Sequence, residues 1–279
     1  MKYNNYHTHT KFCDGSSEPR KYVLKAIEYK MEQMGFSAHA PVPFENKWSI
    51  APSDLEKYFF EIEQLKKEFI KEITILLALE IDYIPGITAE FSSYKNSNLD
   101  YIIGSIHFVK NKVNNGLWFI DGPIEGYIKG IEEIFNNDIQ LAVGNYYQQI
   151  SEMAKIQKPD IIGHIDKVKM NNKGRFFSEE EKWYEKLIDK TLRDIKDCGC
   201  IIEINTRGIY RKKCNSLFPS LSIIEKIHFL DIPIIVSSDA HQPEELINEF
   251  DATYRTLKEI GIRKTKIFEN KRWISKEIE

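Results

Sequence analysis

The chain has 279 residues, of which 42% are hydrophobic and 29% charged, and its formal net charge is −3. A chain of this length forms one large domain or two small ones, and its near balance of charge argues against a nucleic-acid or anionic-membrane partner. Because no apolar run approaches the roughly 20 residues of a membrane span and the first residues lack the apolar region of a secretory signal, we expect a cytoplasmic protein whose four cysteines are free thiols.

Seven short segments rich in β-branched and apolar residues predict strands. In chain order these are residues 4–9, 33–40, 73–82, 99–109, 159–168, 199–208 and 232–241. Longer segments with apolar residues at helical spacing predict helices between and after them. The predicted helices occupy residues 17–32, 51–72, 123–137, 138–157, 178–199, 220–231 and 242–261, and residues 110–123 are the largest irregular stretch.

This alternation of strands and helices predicts an α/β fold in which a parallel sheet is covered by helices. The strands are apolar on both faces, as the buried strands of parallel barrels are. A closed or nearly closed barrel fits better than an open doubly wound sheet, because no glycine-rich phosphate loop follows the first strand. We expect residues 1–279 to form a single domain.

Six of the seven histidines fall at the carboxyl end of a predicted strand. In a parallel barrel all these ends lie on one face, so residues far apart in the chain would meet there. Taken singly, each histidine would more often be structural, but their shared position favours a metal site. With the carboxylates nearby, the candidate ligands are His7, His9, Asp14, His39, Glu80, His107, His164, Asp239 and His241. Nine ligands are too many for one tetrahedral zinc ion and suit two or three divalent metals.

Three neighbouring features need separate interpretation. Asp14 is close to His9 in the first loop, although its sequence context also fits an ordinary Asp-Gly turn. Cys13 could border the site or be a small buried thiol. His228 lies inside a predicted helix without a counterpart, so we leave it outside the site.

Six segments together resemble the PHP (polymerase and histidinol phosphatase) superfamily, and in order and spacing its histidinol-phosphate phosphatase branch. They are "HTHTKFCDG", "SAHAP", "LEID", "GSIHF", "GHID" and "SSDAH". The resemblance implies a distorted (β/α)7 barrel resembling a TIM barrel, with a trinuclear metal centre at its carboxyl end and the nine residues above as ligands. Some relatives have a histidine where this chain has Asp14. The superfamily uses zinc, iron or manganese, and the sequence does not choose among them.

The substrate that the resemblance implies is L-histidinol phosphate, an intermediate of histidine biosynthesis. Clustered metals can lower the pKa of a bridging water and hold the phosphoryl oxygens, so we predict a metal-bridging hydroxide as the nucleophile. Asp239 or His241, beside the metals, is our hypothesis for the acid that protonates the leaving alkoxide.

The sixth strand segment has no histidine and offers other polar groups. Candidate substrate-binding residues are Glu203, Asn205, Arg207 and Arg211, with Lys167 and Lys169 from the segment before it. A guanidinium can bind phosphate oxygens as a fork, whereas each cation could also be a solvated rim residue. Glu203 and Asn205 could bind the substrate or satisfy the barrel rim. The aromatic side chains of Phe108, Trp118 and Phe119 could wall an imidazole pocket or belong to the core.

Three alternatives stay open at this point. The chain could be a PHP phosphoesterase that acts on another phosphorylated metabolite or on a nucleotide. It could be a non-catalytic metal-binding barrel, as PHP domains are within some polymerases. An amidohydrolase is disfavoured, because no lysine suited to bridge metals stands at a strand end. The oligomeric state is open.

Overall fold

The computed structural model describes residues 3–94 and 97–278 of the chain. Its strands are β1 (Asn4–Asn5), β2 (Gln33–His39), β3 (Thr74–Asp82), β4 (Tyr101–Ser105), β5 (Phe108–Lys110), β6 (Leu117–Phe119), β7 (Ile161–Ile162), β8 (Ile201–Asn205), β9 (Ile234–Ser237), β10 (Lys264–Glu269) and β11 (Arg272–Glu277). Within the described residues, one sheet runs in the spatial order β1-β2-β3-β4-β7-β8-β9, and all its neighbours are parallel. Each of these strands lies inside one of the seven predicted segments.

The sheet is nearly closed, because its first and last strands meet beyond their carboxyl ends. Thr8 and Ala240 form a parallel bridge. The backbone N–H of His9 donates to the carbonyl of Ala240 at 2.8 Å, and the N–H of Ala240 donates to the carbonyl of His7 at 3.1 Å. The predicted barrel of parallel strands is therefore confirmed. That residues 1–279 form one domain stays a prediction.

Helices cover the outside of the barrel. They are α1 (Pro19–Glu28), α2 (Leu55–Glu68), α3 (Ile124–Phe135), α4 (Ile139–Ile156), α5 (Lys182–Cys198), α6 (Arg207–Tyr210), α7 (Leu221–Phe229) and α8 (Phe250–Ile260). The Asp138 side chain caps α4 by accepting from the N–H of Leu141, and Gly199 ends α5 in the left-handed conformation. None of the helices in the described part of the chain is long and apolar enough to cross a membrane.

Two antiparallel hairpins add to the barrel. The expectation that residues 110–123 are irregular is wrong in part, since β6 lies inside this region and pairs with β5, which ends at Lys110. The hairpin is held by Trp118, whose fully buried indole N–H donates to the carbonyl of Tyr127 at 3.0 Å. The second hairpin joins β10 to β11 through Asn270 and Lys271. Both residues have positive φ, as a two-residue hairpin turn requires.

The interior of the barrel is apolar at its amino end. Tyr6 and Tyr101 are buried there, and Trp273 of the second hairpin packs edge-on against both rings at 5.1 and 5.5 Å. Gly35 leaves room for the Tyr101 hydroxyl inside the barrel, because a Cβ at position 35 would lie 1.8 Å from that oxygen. The Tyr101 hydroxyl donates to the carbonyl of Tyr6. This packing closes one end of the barrel, so polar side chains collect at the other.

Candidate metal centre

The nine predicted ligands lie together at the carboxyl end of the barrel, where the ends of parallel strands meet. Glu80 on β3 is 1% exposed and stands at the centre of the group. Its carboxylate oxygens lie 3.1 Å from His7 Nε2, 3.3 Å from His9 Nε2, 3.1 Å from His39 Nδ1, 3.9 Å from His107 Nε2 and 3.0 Å from His164 Nε2. Five imidazoles that are distant in sequence therefore face one carboxylate.

The other two predicted carboxylates complete the group on the side of the last strand. Asp239 Oδ1 lies 3.4 Å from His9 Nε2 and 3.4 Å from His241 Nδ1. Asp14 Oδ2 lies 3.2 Å from His241 Nε2, and its other oxygen lies 3.9 Å from His39 Nε2. The first loop thus places the Asp14 carboxylate beside two imidazoles. An aspartate that served only an Asp-Gly turn would not need these contacts.

These side chains suit divalent metal ions. Two atoms bound tetrahedrally to one ion at about 2.1 Å lie about 3.4 Å apart, and the separations given above fall around that value. The Nε2 atoms of His7 and His9 and the Nδ1 atom of His39 are buried and have no hydrogen-bond partner among the described residues. Buried polar atoms without a partner are costly, and a cation bound between these nitrogens and the carboxylates would satisfy them.

The ligand atoms form groups small enough to hold one ion each. Within a group, all the atoms lie within 4.8 Å of one another. Three groups consist of predicted ligands alone: His9, Asp14, His39 and His241; His7, His9 and Asp239; and Glu80, His107 and His164. Imidazole and carboxylate together are typical ligands of zinc, iron and manganese. The structure therefore has side-chain groups that can bind divalent metals, with His9 shared by two of them.

The second nitrogen of several histidines is held by a further group, which fixes the direction of the ring. The pairs are His7 Nδ1 with Glu203 Oε1 at 2.6 Å, His107 Nδ1 with Asp82 at 3.1 Å, His9 Nδ1 with Cys13 Sγ at 3.4 Å and His241 Nδ1 with the carbonyl of Asp239 at 3.0 Å. Partners of this kind orient metal-binding histidines and raise their basicity. They turn the Nε2 atoms of these rings toward the centre.

The charges of the centre shift the pKa values of its own groups. Burial works to lower the pKa of His7, but the surrounding carboxylates, above all Glu203, outweigh it and raise the pKa to about 10. Burial lowers the pKa of His39 to about 4, so this imidazole is neutral and can offer a lone pair. Burial would raise the pKa of Glu80, but the adjacent imidazoles hold it well below its ordinary value. Glu80 is therefore an anion ready to bind cations.

A cavity of about 190 Å³ lies over the centre. Its lining includes seven of the predicted ligands, and the other side chains that line it are Trp48, Phe119, Asp121, Lys167, Arg207 and Lys213. Arg207 is 7% exposed and donates to the Asp239 carbonyl at 2.6 Å. Lys167 is 2% exposed. The cavity thus joins the metal-binding groups to three cationic side chains.

The other four predicted substrate-binding residues do not line this cavity. Glu203 and Asn205 are fully buried beneath the ligands, where Glu203 also accepts the backbone N–H of His164. Lys169 pairs with Asp166 at 2.6 Å and donates to a backbone carbonyl. Arg211 is exposed and pairs with the buried carboxylate of Glu245 at 3.1 Å. Phe108 stacks on Phe119, whereas Trp118 lies in the core.

Three lining residues were missed by the sequence reasoning: Trp48, Asp121 and Lys213. All three lie outside the seven predicted strand segments. Asp121 lies within residues 110–123 and Lys213 in a basic run after α6. The position of a loop side chain depends on tertiary contacts, so the local sequence pattern could not predict that these three residues line the cavity.

The family model of the PHP domain matches residues 5–207, and the chain therefore belongs to the PHP domain family. This confirms the predicted superfamily. The Bacillus subtilis protein named histidinol-phosphatase is 27% identical to this chain over 268 residues, which cover 90% of this chain and 98% of the relative.

Two crystal structures show the same fold. One from Listeria monocytogenes has a TM-score of 0.77 at 23% identity and covers 90% of this chain and 99% of its own. Histidinol phosphate phosphatase from Lactococcus lactis, complexed with zinc, L-histidinol and phosphate, has a TM-score of 0.71 at 21% identity and covers 98% of this chain and 99% of its own. The predicted fold class is confirmed, and the names of these relatives agree with the predicted enzyme class.

Proposed function

We propose that this chain is a metal-dependent phosphatase that hydrolyses L-histidinol phosphate to L-histidinol and phosphate. The observation that carries the proposal is the convergence of nine candidate ligands at one end of the barrel, where seven of them line a small cavity that Arg207 and Lys167 also line. The histidinol-phosphatase of Bacillus subtilis, which matches nearly the whole chain, supports the choice of substrate.

We propose that the three groups of ligands hold two or three divalent ions, with zinc favoured because the Lactococcus lactis structure contains it. Divalent ions lower the pKa of coordinated water and bind phosphoryl oxygens, so they reduce the charge that develops in the transition state of ester hydrolysis. The ligands that line the cavity bring this chemistry into contact with the substrate.

The cationic side chains of the cavity are proposed to bind the phosphoryl group. Arg207 presents a guanidinium that is fixed by the Asp239 carbonyl and by the Tyr210 hydroxyl. Such a group can bind two phosphate oxygens in one plane. We propose that Asp239 or His241, both of which line the cavity, donates the proton to the leaving alkoxide.

The organic end of the substrate is proposed to pack against an aromatic wall. Phe119 stacks on Phe108 with ring centroids 4.7 Å apart, and Trp48 meets His39 edge-on at 5.1 Å. Phe119 and Trp48 line the cavity. Flat apolar side chains of this kind suit an imidazole ring, which prefers stacked or edge-on contacts with aromatic rings.

Elemental analysis of the purified protein, combined with a substrate panel, tests the proposal. We expect two or three divalent ions per chain and faster turnover of L-histidinol phosphate than of an aryl phosphate, a sugar phosphate or a nucleotide. Preference for one of the other esters would assign the chain to a different PHP phosphoesterase. Lack of turnover with all of them would favour a non-catalytic barrel.

The variant His9→Ala tests whether the centre is catalytic, because His9 belongs to two ligand groups. We expect turnover to fall by at least about 100-fold while the fold, followed by circular dichroism, is retained. His228→Ala is the matched control, since His228 lies on α7 and outside these groups. Equal activity of the two variants would contradict a role for the centre in catalysis.

A further inference from the structure

Asp121 joins two lysines at the edge of the cavity. Its Oδ2 lies 3.0 Å from Lys167 Nζ, and its Oδ1 lies 3.1 Å from Lys213 Nζ. The three residues come from three different loops: Asp121 follows β6, Lys167 follows β7, and Lys213 follows α6. The side chain of Lys167 is 2% exposed, that of Asp121 19% and that of Lys213 29%. All three line the cavity that contains the metal ligands.

The charge of this cluster favours an anionic partner. Two ammonium groups and one carboxylate sum to a net charge of +1, and each oxygen of Asp121 already faces a lysine. A cationic group of a ligand would meet two ammonium groups beside the carboxylate, and like charges disfavour its binding. An anion would instead find two lysine donors held in place. At about 190 Å³, the cavity is small enough for one ligand to contact both this cluster and the metal-binding groups.

Asp121 also determines where the lysines stand. Lys167 is fixed on one side by Asp121 and on another by the Phe218 ring, whose centroid lies 5.8 Å from Nζ. A buried ammonium that loses its carboxylate partner is strongly disfavoured, so Lys167 would move or lose its charge without Asp121. Lys213 is more exposed, and Asp121 is the acidic group with which it pairs at 3.1 Å.

We propose that Asp121 is a positioning residue that holds Lys167 and Lys213 against the phosphoryl group, and that Lys213 is a second phosphate-binding lysine at the rim. This inference rests on the proposed function, because it assumes a phosphate ester in the cavity. It assigns Asp121 to the anionic end of the substrate and not to the ammonium or imidazole of histidinol.

Binding of the two products separates these assignments. The variants Asp121→Asn and Lys213→Met are first loaded with metal to the wild-type content. We expect the inhibition constant of inorganic phosphate to rise about tenfold or more in each, because losing a charged hydrogen bond typically weakens binding by this factor. The inhibition constant of L-histidinol should stay within about twofold of wild type. Lys213→Arg should restore most of the phosphate binding, since it keeps the charge.

Matched controls exist for both changes. Asp194 also bridges two lysines, Lys155 at 2.6 Å and Lys190 at 2.7 Å, but lies on α5 away from the cavity, so Asp194→Asn should leave both constants unchanged. Lys212→Met removes an exposed charge one residue from Lys213 and should also be silent.

A rise in the L-histidinol constant with phosphate binding unchanged would overturn the inference and assign Asp121 to the cationic end of the substrate. Unchanged constants for both products would assign the cluster a structural role only. Calorimetric titration of inorganic phosphate into the metal-loaded protein needs no turnover. Failure of histidinol phosphate as a substrate therefore leaves this measurement able to confirm or overturn the phosphate-binding role separately.

Discussion

The Nδ1 atom of His7 lies 2.6 Å from Oε1 of Glu203, and neither side chain is exposed. Glu203 stands on β8, whose predicted strand segment supplies none of the nine predicted ligands, yet it holds the ring of His7, the first of them in the chain. The same carboxylate accepts the backbone N–H of His164 at 2.9 Å. Through these two contacts, β8 contributes to the centre by orienting predicted ligands that follow two other strands, β1 and β7.

Glu203→Gln should weaken metal binding without removing a ligand. The amide keeps the shape of the carboxylate but loses its charge, so the His7 ring is less firmly held and less basic. We expect metal affinity, measured by competition with a chelator, to fall by about 10- to 100-fold. Glu185→Gln on the exposed face of α5 is the control. Wild-type affinity in Glu203→Gln would show that ring orientation does not depend on this carboxylate.

Metal binding should release protons at neutral pH. In the metal-free protein the pKa of His7 is raised to about 10, so His7 is protonated at pH 8 and must lose its proton to bind an ion. Apparent metal affinity should therefore increase as pH rises from about 7 toward 10. Calorimetry in buffers of different ionisation enthalpy measures the protons released. Binding that is independent of the buffer would contradict this prediction.

The same shift has a consequence for stability. Since the pKa of His7 is higher in the folded metal-free protein than its ordinary value of 6.5, its charged form stabilises the fold fully below about pH 6.5. This contribution is lost as pH rises through about 10. Denaturant unfolding of the metal-free protein should therefore show that the free energy of unfolding declines as pH rises. The variant His7→Gln should reduce this decline. An equal decline in both proteins would exclude His7 as its source.

Asp14 should be needed for full metal content. Its carboxylate lies 3.2 Å from His241 Nε2 and completes a four-residue group. We expect Asp14→Ala to lose about one ion per chain and at least about tenfold in turnover. Asp14→His offers an imidazole in the same loop and should recover part of the metal content. Elemental analysis that gives the wild-type number of ions in Asp14→Ala would remove this residue from the ligand set.

Gly35→Ala should destabilise the barrel. The added Cβ would lie 1.8 Å from the Tyr101 hydroxyl, so the ring must shift and overpack, at about 1–3 kcal/mol of unfolding free energy. Gly126→Ala on α3 is the opposite case, since a Cβ there meets no atom of the described residues within 4 Å. It should stabilise the protein by about 0.5–1 kcal/mol, because alanine favours helices. Chemical denaturation of both variants measures the contrast.

The convergence of the nine candidate ligands could be predicted from the sequence because their positions follow from the strands. Once His39 and His107 are placed at the ends of parallel strands, the barrel brings them together, and this does not depend on the conformation of the intervening loops. Loop side chains lack this constraint. Lys167 and Lys169 lie two residues apart on one short 3-10 turn, yet Lys167 faces the cavity and Lys169 pairs with buried Asp166. No local pattern distinguishes the two lysines.

The bridge between Thr8 and Ala240, which closes the sheet, lies among the predicted metal ligands. On one side of it stand His7 and His9, and on the other Asp239 and His241. Asp14 and His241 are 227 positions apart in the chain, so an ion bound by both would cross-link the loops that follow β1 and β9, the first and last strands of the sheet. Such an ion would oppose the separation of the two strands. We therefore expect hydrogen exchange at the amide of Ala240, which donates to the His7 carbonyl, to be slower in the metal-loaded than in the metal-free protein.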